Sequence, residues 1–336
     1  MGFFEGHVLQ NKTAIYIAGD RHYYRRHEEM KTGRQKITAG GGGAFLHPTH
    51  NEAVRQTGKR ERYELKKSFP DAETSRKLCR RNFLFPFYNP WFGIVTGILY
   101  LLTARAFLTN LGHYKLSDIF QSLGAVFRDA LVQPVSLYWV LAIFLGFFVF
   151  TDTYSKIYRF VAGSIHGIIH LLAVFFISWG ASYFLSGGSG LDFNSIGQLM
   201  LAGGLIFLGG WIFGSFIMGV YLFISLNLFS RHHNEAFSAL KIADYKNFIR
   251  LKIEANGDLI VFPIGIRRVV KKWQENSDLR QAPRITPDDP NADFPDLIED
   301  PIVFKKNQQS LIENIQFSIN QERTTVNDGR VKSLQE

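Results

Sequence analysis

Hydrophobic patterning divides the chain before any motif is read. Four uncharged, apolar stretches occupy 82–104, 130–150, 160–185 and 196–229. Each reaches the roughly 20 apolar residues that cross a hydrocarbon core of about 30 Å. Soluble domains rarely string such runs together, so the pattern predicts an α-helical four-span membrane domain over 85–230. Pro90, a favoured first helical position, opens the first span with Asn89 as its expected cap. Arg105 at its far end can extend to the interface. Gly210 and Gly214 form a GxxxG pair that permits close helix approach, read here as packing within the chain. His166 and His170 stand at i and i+4 on one face of the third span.

The flanking regions follow other periods. After the spans, "NFIRLKIEANGDLIVFPIGI" at 247–266 alternates Ile249, Leu251 and Ile253 with Arg250, Lys252 and Glu254, predicting a strand with one buried and one wet face. Asn256-Gly257 supplies a hairpin turn. A small cytoplasmic α+β domain is therefore expected over 231–320, followed by a disordered tail over 321–336. Before the spans, Ile15–Ala18 reads as a short strand and "KITA" as a second.

Charge orients this arrangement. The formal net charge is +9, and residues 55–81 carry ten Lys or Arg. That basic juxtamembrane segment, over 55–84, belongs on the cytoplasmic side against anionic head groups. Lys156 and Arg159 place the loop at 151–159 inside, whereas 186–195 has no Lys or Arg and faces outward. Four spans with cytoplasmic amino and carboxy termini satisfy these assignments, and the bilayer is a partner. No nucleic-acid partner is expected. The single cysteine, Cys79, excludes an internal disulfide.

Five of the ten histidines fall within the first fifty residues. Asp20, His22, Tyr24 and Arg26 alternate just past the first strand, where α/β sheets place their chemistry. Asp oxygen and His nitrogen suit Mn, Fe or Zn, and Arg suits a phosphoryl oxygen. Gly40 to Gly43 allow close backbone approach and lead into His47 and His50 of "LHPTH". A histidine-rich polar surface loop explains the same residues without chemistry.

"GDRHYYRR" at 19–26 resembles the last metal motif of calcineurin-like metallophosphoesterases, in the GHxHxYxR form of purple-acid-phosphatase-like members. Gly19, His22, Tyr24 and Arg26 match, and Asp20 replaces the first histidine. "ITAGGGGAFLHPTH" and "HHNEAFSALKIADYKNFIRLKI" resemble a bacterial branch with a multi-span membrane region, implying a bacterial inner or plasma membrane. The resemblance implies a hydrolase in which two metal ions (Mn, Fe or Zn) cleave a phosphate-ester substrate. It makes His22 and Asp20 metal ligands, and Arg26, His47 and His50 catalytic or phosphate-facing groups. The family's Asp-x-His, Gly-Asp-x-x-Asp and Gly-Asn-His motifs do not precede residue 19; if Asp20-Arg21-His22 is read as the opening Asp-x-His, the other two do not follow before the membrane region. The expected fold is thus mixed: the carboxy-terminal remnant of an α/β metallophosphoesterase sandwich over 1–54, then the membrane domain, then the small α+β domain. A separate amino-terminal half is a candidate partner, and the chain alone is expected to be weakly active or inactive. An isolated half-sandwich would also leave a sheet edge and a core face exposed.

Two other readings use the same residues. One is a non-enzymatic multi-span scaffold or regulatory protein. The other is a redox or transport protein built on His166 and His170.

Overall fold

The structure, a computed structural model, describes residues 13–50, 63–108, 119–151, 155–188, 195–275, 285–291 and 293–306. The expected tail at 321–336, the basic run before Tyr63, the loop at 109–118 and most of the outward loop at 186–195 lie outside these residues, as does the side chain of Arg105. The described chain is mixed α and β. It forms two compact units, one from the residues up to Leu78 together with those from Lys241 onward, the other Cys79–Leu240.

The first unit holds strands β1 (Ile15–Ala18), β2 (Tyr24–Glu29), β3 (Gln35–Ala39) and β4 (Tyr63–Phe69), followed by helix α1 (Ala72–Cys79). The strands form one sheet in the order β1-β3-β2-β4, with β1 parallel to β3 and the other pairs antiparallel. The tight β2–β3 turn closes on Glu29, whose carboxylate accepts from the backbone N–H groups of Lys31 and Thr32 and from the Thr32 hydroxyl.

The second unit begins with a 3₁₀ turn (Arg80–Leu84) and α2 (Phe85–Tyr88). It continues through α3 (Pro90–Leu108), α4 (Ile119–Val132), α5 (Pro134–Phe150), α6 (Lys156–Gly188), α7 (Ile196–Gly209), a π-helical turn (Gly210–Gly214), α8 (Ser215–Phe229) and α9 (His233–Ser238). Back in the first unit, β5 (Lys246–Ile253) and β6 (Leu259–Ile266) make the expected hairpin, with Gly257 at φ +87° in the turn. A small ribbon pairs β7 (Trp273–Glu275) with β8 (Ile285–Pro287), while β9 (Asp296–Leu297) and β10 (Ile302–Phe304) both pair with β6.

One core joins the two main sheets. Tyr24, Ile37 and Val261 are fully enclosed, and Ile15, Ala39, Phe69, Ile249, Leu259, Ile298, Ile302 and Phe304 pack around them. Burial of each large apolar side chain contributes about 1.5–3 kcal/mol. The amino-terminal sheet therefore does not present a bare core face: the strands expected as a separate cytoplasmic domain share its core. The β5 alternation is only partly used. Ile249 reaches the core, whereas Leu251 and Ile253 on the same face of the outer strand are exposed, although Val261 and Leu259 opposite them on β6 pack in the core.

Two helices are long and apolar enough to cross a membrane, Lys156–Leu185 and the continuous Ile196–Phe229, rather than the four expected. Pro90–Ala104 and Pro134–Phe150 are apolar but shorter. Residues 82–89, within the first apolar stretch but ahead of the span's expected start, fold as the 3₁₀ turn and α2, and Pro90 opens α3 as expected. Asn89 does not spend its amide on α3; the nitrogen donates to the carbonyls of Phe85 and Ala239. Pro134 likewise separates α4 from α5, so the second apolar run is divided between two helices.

The helical unit buries polar side chains among apolar ones such as Phe147, Phe175, Met218 and Leu222, and its exposed surface carries many large apolar side chains. Thr96, Thr103, His166, His170, Ser178, Ser215 and Ser225 are buried, while Trp91, Phe120, Tyr138, Phe160, Leu199 and Phe213 are exposed. Gly210 and Gly214 do permit close packing within the chain, against Tyr100 and Thr96 of α3. The Thr96 hydroxyl donates to the Gly210 carbonyl at 3.1 Å, an inserted side chain of the kind that opens a π turn.

Candidate functional site

The segment between β1 and β2 carries His22, which the glycine loop after β3 holds in place. The His22 backbone N–H donates to His47 Nδ1 at 2.8 Å, and its ring Nδ1 lies 2.8 Å from the Phe45 carbonyl. A carbonyl only accepts, so His22 Nδ1 carries the proton and Nε2 is the lone-pair nitrogen of the neutral ring. The His22 and His47 rings stack with centroids 4.4 Å apart. Gly43 makes this possible, since a Cβ there would overlap the His22 ring. The loop is tied down from β5, where Lys246 Nζ donates to the Gly43 carbonyl and Asn247 Oδ1 accepts from the Gly41 N–H. The close approach expected of the four glycines is thus to His22 and Asn247.

The remaining predicted residues have other neighbours. Asp20 is exposed. His50 Nδ1 lies 2.7 Å from the Ser75 hydroxyl of α1, and the same oxygen accepts from the Thr49 N–H. Arg26, expected to face a phosphoryl oxygen, closes instead on Glu299. Nε and one terminal nitrogen contact the two carboxylate oxygens at 3.0 and 2.7 Å, and Gln35 Oε1 accepts a further bond at 3.0 Å. Strand alternation explains this, because Arg26 shares the inward face of β2 with Tyr24, whose hydroxyl donates to the same carboxylate at 2.6 Å. Burial, and then that carboxylate, push the Tyr24 hydroxyl pKa up.

Among the described residues no three His, Cys, Asp or Glu side chains gather into a group able to hold a metal ion. The residues fit one ligand position, His22, held as metal-binding imidazoles usually are by a bond from the opposite ring nitrogen. They do not by themselves build a dinuclear centre.

Sequence reasoning missed a second feature of this unit. A cleft of about 690 Å³ is lined by Lys67, Phe69, Asp71, Tyr245, Arg267 and Asp296, among others. Its residues come from four separate stretches of chain, so no local spacing announces it. In the helical unit, His166 and His170 are buried and meet through their Nε2 atoms at 3.2 Å. Tyr100, Tyr221 and His232, which surround them, were not singled out because single tyrosines in apolar runs carry no pattern. Set against known proteins, this chain matches no family model, no curated protein and no solved structure.

Proposed function

We propose that the chain is the membrane-anchored part of a metal-dependent phosphoesterase, contributing His22 to a metal site completed by groups outside the described residues. The observation that carries this reading is the His22 ring. Its Nδ1 proton is fixed on the Phe45 carbonyl, which leaves Nε2 as the nitrogen for a metal. His47, stacked on that ring, and Asp20, two residues before it, are the supporting groups in this reading. Arg26 is a structural residue in it, since Glu299 neutralises its charge. A bound metal would polarise a phosphate ester and supply the hydroxide that cleaves it; the residues here hold one ligand and its orientation.

The membrane placement rests on the apolar exposed surface of the helical unit, which suits a hydrocarbon surrounding while its polar groups stay inside. α6 and the α7–α8 helix cross fully, α3 and α5 complete four crossings, and the basic flanks keep both ends cytoplasmic. The Arg26–Glu299 closure favours a second reading, a non-enzymatic membrane scaffold whose sheet unit binds a partner.

Metal content per chain on detergent-purified protein, with His22→Ala beside it, separates the two. The phosphoesterase reading expects a transition metal lost in the variant and weak hydrolysis of 4-nitrophenyl phosphate. Metal content that is absent, or indifferent to His22→Ala, would sink it.

A further inference from the structure

The interior of the helical unit contains a column of polar groups that neither reading uses. Tyr100 Oη lies 2.7 Å from His170 Nδ1, and His170 Nε2 lies 3.2 Å from His166 Nε2. Face-to-face rings brace both imidazoles, Phe147 on His170 at 3.5 Å and Tyr221 on His166 at 4.0 Å between centroids. Tyr221 Oη then lies 3.0 Å from His232 Nε2, and His232 Nδ1 lies 3.6 Å from the half-exposed carboxylate of Glu235. Beside them Tyr158 Oη meets Ser225 Oγ at 2.7 Å.

The column continues toward the opposite end. Tyr158 meets Ser225, His166 meets Tyr221, and Ile177 lies beside Gly209, so α6 runs antiparallel to α7–α8. Thr96 beside Gly214 and Leu101 beside Gly203 make α3 antiparallel as well. Thr103, Ser178, Trp179 and Gln198 therefore follow Tyr100 and His170 toward that end, all buried. His166 Nδ1, Trp179 Nε1, Gln198 Oε1 and Ser215 Oγ are buried with no hydrogen-bond partner among the described residues. Buried polar atoms without partners are the sites that internal water satisfies.

We propose that the helical unit conducts protons along this column, with the His166–His170 pair as its relay. A proton taken up by Tyr100 Oη releases the hydroxyl proton to His170 Nδ1. His170 passes its Nε2 proton to His166 Nε2, and His166 gives up its Nδ1 proton to an internal water, which passes one of its own protons on toward the Tyr221–His232–Glu235 end. One proton enters, one leaves, and the two rings exchange tautomers; ring reorientation resets them. A metal ion at the pair fits less well, because two neutral nitrogens would leave its charge uncompensated in apolar surroundings. Chains of ionisable side chains inside a membrane commonly serve as proton relays.

The inference rests on the membrane placement and is independent of the phosphoesterase reading. The full chain is reconstituted into phosphatidylcholine–phosphatidylglycerol vesicles holding a pH-sensitive dye, floated to verify insertion, and driven by a potassium diffusion potential. Floated wild-type protein is expected to acidify the lumen faster than protein-free vesicles do. His170→Phe should return the rate to the protein-free level, and Tyr100→Phe, which removes one oxygen and keeps the shape, should give a partial loss. Floated wild-type protein without flux, or flux unchanged in both variants, overturns the relay alone. Protein that does not float overturns the membrane placement and the relay together.

Discussion

The sheet unit and the helical unit handle polar side chains in opposite ways. In the sheet unit an apolar core of Tyr24, Ile37 and Val261 lies inside, and the inward-facing charge of Arg26 is neutralised by Glu299. In the helical unit the interior holds uncharged Thr, Ser, His and Tyr among buried Phe, Ile, Met and Leu, and many large apolar side chains also face outward. Burying a charge is tolerable only when it is paired, and uncharged groups need only a hydrogen bond. The sheet unit takes in Arg26 beside Glu299, and the more deeply buried Arg25 donates to the Thr49 carbonyl and lies over the Tyr23 ring. No Asp or Glu is available within the apolar helices α5 to α8, so their interior is limited to groups that remain neutral.

The largest test of that contrast is Tyr24→Ala. Removing a fully enclosed ring costs about 3–5 kcal/mol, and this one also donates to Glu299. Hydrogen exchange should show lost protection across β2, β3 and β6, with the helical unit's amides unchanged. Equal loss in both units would mean that they do not unfold separately. Gly210→Ala is the counterpart in the helical unit. Its new Cβ would lie 2.8 Å from Tyr100 Cβ and 3.0 Å from Gly97 Cα, an overpacking that costs about 1–3 kcal/mol. Thermal unfolding in detergent should register it, and sheet protection should not.

Some of this contrast was legible in the sequence, and the boundary is physical. Asn256-Gly257 specifies its turn through local backbone preferences, and Pro90 fixes a helix start by its own ring, so both were found. The pair Arg26–Glu299 joins residues 273 positions apart, and nothing near either residue encodes the other. Without Glu299, Arg26 reads as a free cation suited to a phosphate. The run at 82–89 is as apolar as a span, so although Pro90 marked the break, composition could not show that a 3₁₀ turn and a short helix precede it. Leu251 and Ile253 follow the strand period but lie on the outer strand and stay exposed while Val261 and Leu259 opposite them pack inward, a limit set by tertiary packing. Of the candidate site, His22, His47 and a close approach by the glycines were legible, whereas the stacking of His47 on His22 and the Phe45 anchor emerged only from the fold.

A third test uses pH to probe how the sheet unit treats a histidine. Burial, and then the charges of Arg25 and Lys36, lower the His27 pKa from 6.5 to about 4. Between those two values the unfolded chain takes up a proton that the folded unit refuses, so stability falls as pH drops through the window. A fully enclosed ring with that shift would cost about 3 kcal/mol; His27 is partly exposed and screened by solvent, so roughly half is expected. His27→Gln should flatten the slope between pH 6.5 and about pH 4. A slope that persists in the variant would assign it to another group.

The smallest effect is expected at Asp71, where the sheet unit leaves a charge open to water. Its carboxylate caps α1, accepting from the Thr74 N–H at 2.9 Å and from the Thr74 hydroxyl at 2.7 Å, and the backbone bond holds its pKa below the usual 3.8. Asp71→Ala should destabilise α1 by about 1 kcal/mol, whereas Asp71→Asn, which keeps a capping oxygen, should cost a few tenths, about 0.3 kcal/mol. The helix matters beyond its length because Ser75 ties Thr49 and His50 to it. Loosening α1 should therefore raise exchange at the Thr49 amide in the alanine variant and leave it unchanged in the asparagine variant. If both variants raise it equally, the negative charge matters more than the cap. The sheet unit would then depend on an exposed charge at Asp71 as well as on the Arg26–Glu299 pair within it.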